Sequence, residues 1–291
     1  MEKSFFLSSD KNPKNIQIKK EIINHFVNNG NDTIAELSKG LDLSVPTVTK
    51  LIAELTEMGL VADFGKIQTS GGRYPNVYGL NPSSVYFVGV DMTRHHLNIA
   101  LMDFKGDIVK YEMGISYMYE NTTESFDRLC SHIQDFINGT GELKQKIYNI
   151  CLNISGRVNP ESGYSYSNFY FSEEPISNTL ANRLNYRVTV DNDTRSMAYG
   201  EFMKGSVQSE NNVIFVNVSW GLGIGIIIDK KLYYGKSGFS GEFGHFPAFD
   251  NEIICHCGKK GCLETEASGL AIHRKVLERI RKGESSIITQ Q

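Results

Sequence analysis

Residues 241–264 read GEFGHFPAFDNEIICHCGKKGCLE and place His245, Cys255, Cys257 and Cys262 within eighteen positions of one another. Imidazole and thiolate donors in such a cluster suit a closed, four-coordinate Zn²⁺ site. Gly258 and Gly261 flank Lys259 and Lys260 and let the backbone turn sharply enough for Cys257 and Cys262 to face one ion. Four protein ligands leave no open position for water, so one structural Zn²⁺ per chain is expected. His256, between Cys255 and Cys257, is a rival ligand on spacing alone. Only Cys130 and Cys151 of the five cysteines lie elsewhere.

Toward the N-terminus, Ile18, Ile22, Ile23, Phe26 and Val27 recur at helical spacing, and Asn28-Asn29-Gly30 stops the helix. Thr33 and Glu36 form a capping box for a second helix carrying Ile34, Leu37 and Leu41, and Gly40 opens the turn. A third helix follows the Ser44 cap. It is expected to bury Val45, Val48, Ile52 and Leu55 and to leave Pro46, Thr47, Thr49 and Lys50 on the opposite face. Two short helices joined by a glycine-containing turn outline a helix-turn-helix, whose second member enters the major groove. The segment LVADFGKIQTSGGRYPNVYGLN then alternates apolar and polar residues around a glycine-rich centre, as a β-hairpin wing does. Arg73, presented by Gly71-Gly72, has the reach to enter a minor groove. Ser44, Thr47, Thr49, Lys50 and Arg73 are therefore the candidate DNA contacts.

Residues 1–80 hold nine Lys/Arg and nine Asp/Glu, so DNA binding has to come from local clustering rather than from a basic domain. Lys11, Lys14, Lys19 and Lys20 read either as phosphate contacts or as a solvated helix start. Asn81-Pro82-Ser83-Ser84 punctuates the chain and places a domain boundary.

Beyond it, 85–91, 97–103 and 108–115 read as successive strands. A helix (123–138), a strand (147–154), a helix (176–184), a strand (187–190) and a helix (194–203) follow, then strands at 213–218, 224–228 and 231–234 and a charged helix at 271–282. Three strands leading into alternating strands and helices predict an α/β architecture. The 291 residues suffice for two or three domains, and a hydrophobic fraction of 40% with net charge −3 describes an ordinary soluble protein. No apolar run approaches the roughly 18 residues of a membrane span, and MEKSFFLSSDKNPKN is no secretory signal, its apolar stretch being only Phe5, Phe6 and Leu7. Cysteines at metal-ligand spacing point to a reducing cytoplasm, with no membrane partner.

Glu242, Gly244 and His245, followed by Cys-x-Cys-Gly-x-x-Gly-Cys-x-Glu, resemble the signature of the ROK family, which comprises sugar-responsive repressors and sugar kinases. The likeness runs from about Lys14 to the last residue. It implies an actin-like (ribonuclease H-like) sugar-binding domain over 82–291, preceded by a winged helix-turn-helix domain over 1–81. The first lobe would span 82–205 and a partial second lobe 206–291, truncated because family members continue well past the zinc motif. Zinc would hold the sugar-contacting loop in shape, and His256, at a variable position of the motif, ranks behind His245 as a ligand. The resemblance places Gly156, Asn168, Asn192, Asp193, Glu242, His245 and Glu264 at sugar-contact positions, with Asp193 where a kinase carries its general base. Carboxylates accept from sugar hydroxyls, and amides both donate and accept.

Kinases of the family grip phosphate through Asp-x-Gly-Gly-Thr and Gly-Thr-Gly turns. Here the corresponding stretches are Asp91-Met92-Thr93-Arg94-His95 and Ser219-Trp220-Gly221, so Asp193 is a vestigial base and no kinase activity is expected. What the resemblance implies is a sugar-responsive transcriptional regulator, a repressor of carbohydrate-utilisation genes. It would bind operator DNA as a homodimer or higher homo-oligomer and respond to a hexose-type inducer. The alternatives are an ATP-dependent sugar kinase with an appended DNA-binding head and a zinc-stabilised interaction protein.

Overall fold

The computed structural model describes residues 12–66, 74–171, 173–207 and 209–287. Helix α1 (Pro13–Asn29) outruns its apolar repeat, because Asn12 caps it through the Lys14 N–H and Pro13 sits in its first turn. A short strand β1 (Asp32–Thr33) leads into α2 (Ile34–Gly40), capped by the Thr33 hydroxyl on the Glu36 N–H at 3.2 Å. Helix α3 (Val45–Glu57) follows the Ser44 cap and packs Val48, Leu51, Ile52 and Leu55 against Ile18, Ile22, Ile23, Phe26 and Leu37.

Two expectations need correction. Val45 is 52% exposed; it occupies the first helical position, so the buried stripe begins a turn later and takes in Leu51. Lys19 is only 4% exposed and meets Glu54 at 2.8 Å, tying α1 to α3, because a buried charge persists only when paired. It is neither a solvated residue nor a phosphate contact. Lys14 and Lys20 are exposed, and Lys11 lies outside the described residues.

Strands β2 (Val61–Lys66) and β3 (Asn76–Leu80) form the antiparallel hairpin of a wing, with Val61 opposite Leu80 and Lys66 opposite Asn76, and β1 pairs on the other side of β3. Arg73 and the glycines before it lie outside the described residues. Asn81 ties the following turn to the head, donating to the Gly59 carbonyl at 2.9 Å and accepting from the Ser83 N–H at 3.3 Å. The head's core continues past this turn. Val85 belongs to it, and Phe87, Phe104 and Tyr148 pack against it.

Strands β4 (Tyr86–Met92), β5 (His96–Met102) and β6 (Ile108–Ser116) form an antiparallel meander, followed by α4 (Thr123–Asn138), β7 (Ile147–Ile154), the short pair β8 (Val158–Asn159) and β9 (Tyr164–Ser165), α5 (Ile176–Leu184), β10 (Val188–Asn192) and α6 (Asp193–Lys204). The main sheet has the order β10-β7-β4-β5-β6. A second, antiparallel sheet contains β11 (Val213–Val218), β12 (Leu222–Ile228) and β13 (Lys231–Leu232), and α7 (Gly269–Arg281) comes last. The described residues of Met1–Leu152 and Asn178–Thr189 form one compact unit, and those of Asn153–Ser177 and Val190–Gln291 form the other. No described helix is long and apolar enough to cross a membrane.

Candidate functional site

His245 ends a short 3-10 turn (Glu242–His245), and the cysteines lie on a knuckle held by bridges pairing Ile254 with Lys260 and Pro247 with Cys262. Gly258 and Gly261 adopt φ of +87° and +70°, the left-handed conformation their spacing calls for. Cys255 Sγ stands 3.4 Å from His245 Nδ1, Cys257 Sγ stands 3.6 Å from Cys262 Sγ, and all four donor atoms lie within 4.8 Å of one another. A tetrahedral Zn²⁺ with Zn–S of about 2.3 Å and Zn–N of about 2.0 Å separates its ligands by about 3.5–3.8 Å, so the donors fit the ion.

All five cysteines are free thiols, and Cys255 and Cys262 are buried. Burial pushes the Cys255 thiol up to about 12, so a metal entering here has to displace its proton. His256 stands outside this four-donor group, its Nδ1 lying 3.8 Å from Cys255 Sγ. Its Nδ1 meets the Glu264 carboxylate at 3.0 Å, and with His245 and Glu264 it makes a second close trio that has no sulfur donor. Although burial alone would raise the Glu264 pKa, the bonds from His256 and from the Leu222 N–H, the latter at 2.9 Å, hold that carboxyl below its usual range.

The seven residues at the expected sugar positions all fall in the second compact unit, in two groups. In the first, Gly156 has φ +84°, and a Cβ there would stand 2.5 Å from the Ser167 hydroxyl. Its carbonyl accepts from Asn192 Nδ2 at 3.0 Å, while buried Asn168 donates to the Ser155 carbonyl at 2.7 Å. Asn192 also caps α6, its Oδ1 accepting from the Arg195 N–H at 3.0 Å, and Asp193 Oδ1 accepts from the Thr194 N–H at 2.7 Å. A carboxamide has two donors and two acceptor sites, so Asn192 keeps capacity for a hydroxyl. The second group is Glu242, His245 and Glu264, with Glu242 lying 3.7 Å from His245 Nε2. Burial raises the Glu242 pKa, and the guanidinium groups of Arg157 and Arg195 pull it partly back.

Those two arginines escaped the sequence reading. Arg157 lies over the Phe239 ring at 5.9 Å, and Phe239 meets Tyr166 edge-on at 5.1 Å. Arg195 is 2% exposed and pairs with Asp191, which lies on β10 just ahead of α6. Helical spacing gave no signal for this pair, because its carboxylate comes from a strand.

At the 91–96 turn, where the first phosphate loop was expected, Asp91 accepts from Asn98 Nδ2 at 2.9 Å. The Thr93 hydroxyl accepts the N–H groups of His95 at 3.3 Å and His96 at 3.1 Å. The N–H groups of Thr93, His95 and His96 are thus engaged within the turn. Trp220 is 51% exposed and leans on His273, with ring centroids 5.6 Å apart. On the head, Ser44 bonds the Thr47 hydroxyl at 2.8 Å and Thr49 donates back to the Val45 carbonyl at 2.8 Å. Thr49 and Lys50 are exposed, the Lys50 ammonium reaching Glu54 at 3.8 Å.

A model of the ROK family matches residues 87–291, and a model described as winged helix-turn-helix DNA-binding matches residues 17–62. The chain is 29% identical over 265 residues to the xylose repressor of Bacillus subtilis (strain 168), spanning 90% of this chain and 68% of that one. It is 30% identical over 257 residues to the DNA-binding transcriptional dual regulator NagC of Escherichia coli (strain K12), spanning 87% of this chain and 62% of that one. Among solved structures, a ROK family transcriptional regulator, a homolog of the E. coli MLC protein, superposes with a TM-score of 0.75 at 26% identity, covering 95% of this chain and 70% of that one. A ROK family glucokinase from Streptomyces griseus, in complex with glucose and AMPPNP, superposes with a TM-score of 0.58 at 27% identity, covering 68% of this chain and 62% of that one.

Proposed function

Because the chain belongs to the ROK family, we propose that it is a sugar-responsive transcriptional repressor. Residues 1–81 bind operator DNA, and residues 82–291 bind a hexose-type or related aldose inducer, with lobes divided near residue 205. The observation that carries this reading is the head: α3 buries Val48, Leu51, Ile52 and Leu55 and leaves Thr49 and Lys50 exposed on the other side, as a recognition helix requires. The relatives named as repressors support it. One Zn²⁺ on His245, Cys255, Cys257 and Cys262 is structural. Together these four hold the 241–264 segment and, through Glu264, the start of β12.

In this mechanism Gly156, Asn168, Asn192, Asp193, Glu242, His245 and Glu264 bind the sugar. His245 gives Nδ1 to the metal and leaves Nε2 to donate to a hydroxyl or to Glu242. Sugar lowers operator affinity only if it binds the DNA-incompetent conformation more tightly. Asp193 lies in the position of a base but has no phosphate donor to serve, since the 91–96 turn lacks the kinase glycines and its His95 and His96 N–H groups are taken by the Thr93 hydroxyl. The protein acts as a homodimer on a palindromic operator whose half-sites lie about 34 Å apart.

The test is a gel shift on a duplex selected from a randomised pool by the protein, with and without D-glucose, N-acetyl-D-glucosamine or D-xylose. Sequence-specific retention, released by one sugar, is the expected result. Lys50→Ala or Arg73→Ala is expected to weaken retention and to lower the salt slope by about one, whereas Thr47 or Thr49 substitutions shift sequence preference. Asp193→Ala should cost about 1–3 kcal/mol of sugar affinity by leaving polar partners unpaired, with sugar-free operator affinity unchanged. A protein that selects no sequence, or that keeps its preference and salt slope after all four head substitutions, contradicts the DNA-binding reading.

For the kinase alternative, a coupled assay with ATP and each sugar should stay at background. Turnover of roughly 1 s⁻¹ or more would reverse the assignment.

A further inference from the structure

Arg195 is a buried cation for which sugar binding and metal binding have no direct use, yet its donors reach three segments of the site. Its Nε donates to Asp191 Oδ1 at 2.8 Å and its Nη2 lies 2.7 Å from the same oxygen. Nη1 donates to the Gly238 carbonyl at 2.6 Å and Nη2 to the Val158 carbonyl at 3.1 Å. The Tyr234 ring lies 5.3 Å from the guanidinium, and its hydroxyl donates to the second Asp191 oxygen at 3.3 Å. The two carbonyls converge because Gly238 has no side chain: a Cβ there would stand 2.6 Å from the Val158 carbonyl oxygen.

Val158 follows Gly156 by two residues and opens the segment that ends at Asn168. Gly238 lies four residues before Glu242, and Arg195 itself stands three and two residues after Asn192 and Asp193. We propose that Arg195 is the positioning residue of the sugar site, holding these three segments at one spacing so that Gly156, Asn168, Asn192, Asp193 and Glu242 address one ligand. This rests on the sugar-binding reading given above. Only a planar fork with donors on separate nitrogens can serve a carboxylate and these two neighbouring carbonyls at once. A lysine ammonium keeps the charge opposite Asp191 but cannot bridge both loops. Loops fixed before binding spare the ligand the cost of ordering them.

The test uses the full chain with Arg195→Lys and Arg195→Gln. Hydrogen exchange is read by mass spectrometry at 155–168, 233–242 and, as internal reference, β11 and β12. Calorimetric titration with D-glucose, N-acetyl-D-glucosamine and D-xylose is run well below the melting temperature. In Arg195→Lys, which retains the ion pair and is the variant that decides the outcome if Arg195→Gln does not fold, melting and zinc content should stay near wild type. Exchange at 155–168 and 233–242 should quicken about tenfold or more, and affinity for whichever sugar binds the wild type should fall about tenfold.

A merely structural arginine predicts that melting and affinity fall and recover together. Recovery of both in Arg195→Lys, or wild-type exchange in both loops, overturns the proposal. If none of the three sugars binds the wild-type chain, the sugar reading fails by itself, and the exchange measurement still decides whether Arg195 holds the loops.

Discussion

Cys262→Ser is expected to reduce bound zinc from about one equivalent per chain to none and to unravel the 241–264 segment. Cys262 is fully buried; its Sγ lies 3.6 Å from Cys257 Sγ and 3.6 Å from the His245 carbonyl oxygen. A serine hydroxyl is a poor ligand in a thiolate site, and binding of a structural Zn²⁺ contributes on the order of 10 kcal/mol to folding, against about 1 kcal/mol for an average substitution. The consequence reaches past the knuckle. Glu264 is two residues on and anchors the Leu222 N–H, so the start of β12 should loosen and sugar binding should disappear with the metal. Elemental analysis and limited proteolysis measure both effects. A wild-type chain purified without chelator and lacking zinc, or a Cys262→Ser variant retaining a full equivalent, would contradict the assignment.

Ile22→Ala should cost about 2–5 kcal/mol of stability, the sum of lost transfer energy and the cavity left behind. Ile22 is wholly buried in the head's core, and that core runs on without a break to Phe87, Phe104 and Tyr148. The loss should therefore appear in chemical denaturation as one destabilised transition of the first compact unit, with operator binding weakened in step. The control is Thr49→Ala, exposed on α3, which should stay within about 0.5 kcal/mol of wild type while altering sequence preference. A separate early transition for the head would show that it folds independently of the sheet.

Much of this architecture is legible in the sequence. The 123–138, 147–154, 176–184 and 213–218 elements coincide with α4, β7, α5 and β11. For α4 the hydrophobic periodicity is bounded by a local cap, where the Thr122 hydroxyl accepts the Ser125 N–H. The Cys/His cluster was equally plain, because its four donors lie on one short segment whose glycines permit the left-handed turns found at Gly258 and Gly261. Boundaries that depended on more than periodicity drifted: α1 begins at Pro13, where the Asn12 cap rather than the apolar repeat sets its start.

Local spacing thus determined by itself the helix-turn-helix outline, the order of strands and helices, and the Cys/His cluster, since caps, turns and ligand knuckles involve residues a few positions apart. Tertiary structure alone decided that Lys19 is buried against Glu54, that Val45 faces solvent, that His256 approaches Glu264 more closely than it does Cys255, and that Arg195 grips the carbonyls of Val158 and Gly238. Most of these are choices between two plausible partners or environments for a polar or border residue. Burial makes a charge seek whichever partner the fold brings within reach, and Glu54 lies 35 positions from Lys19, Gly238 43 from Arg195. No pattern in the chain carries information over such separations; only the packed chain does.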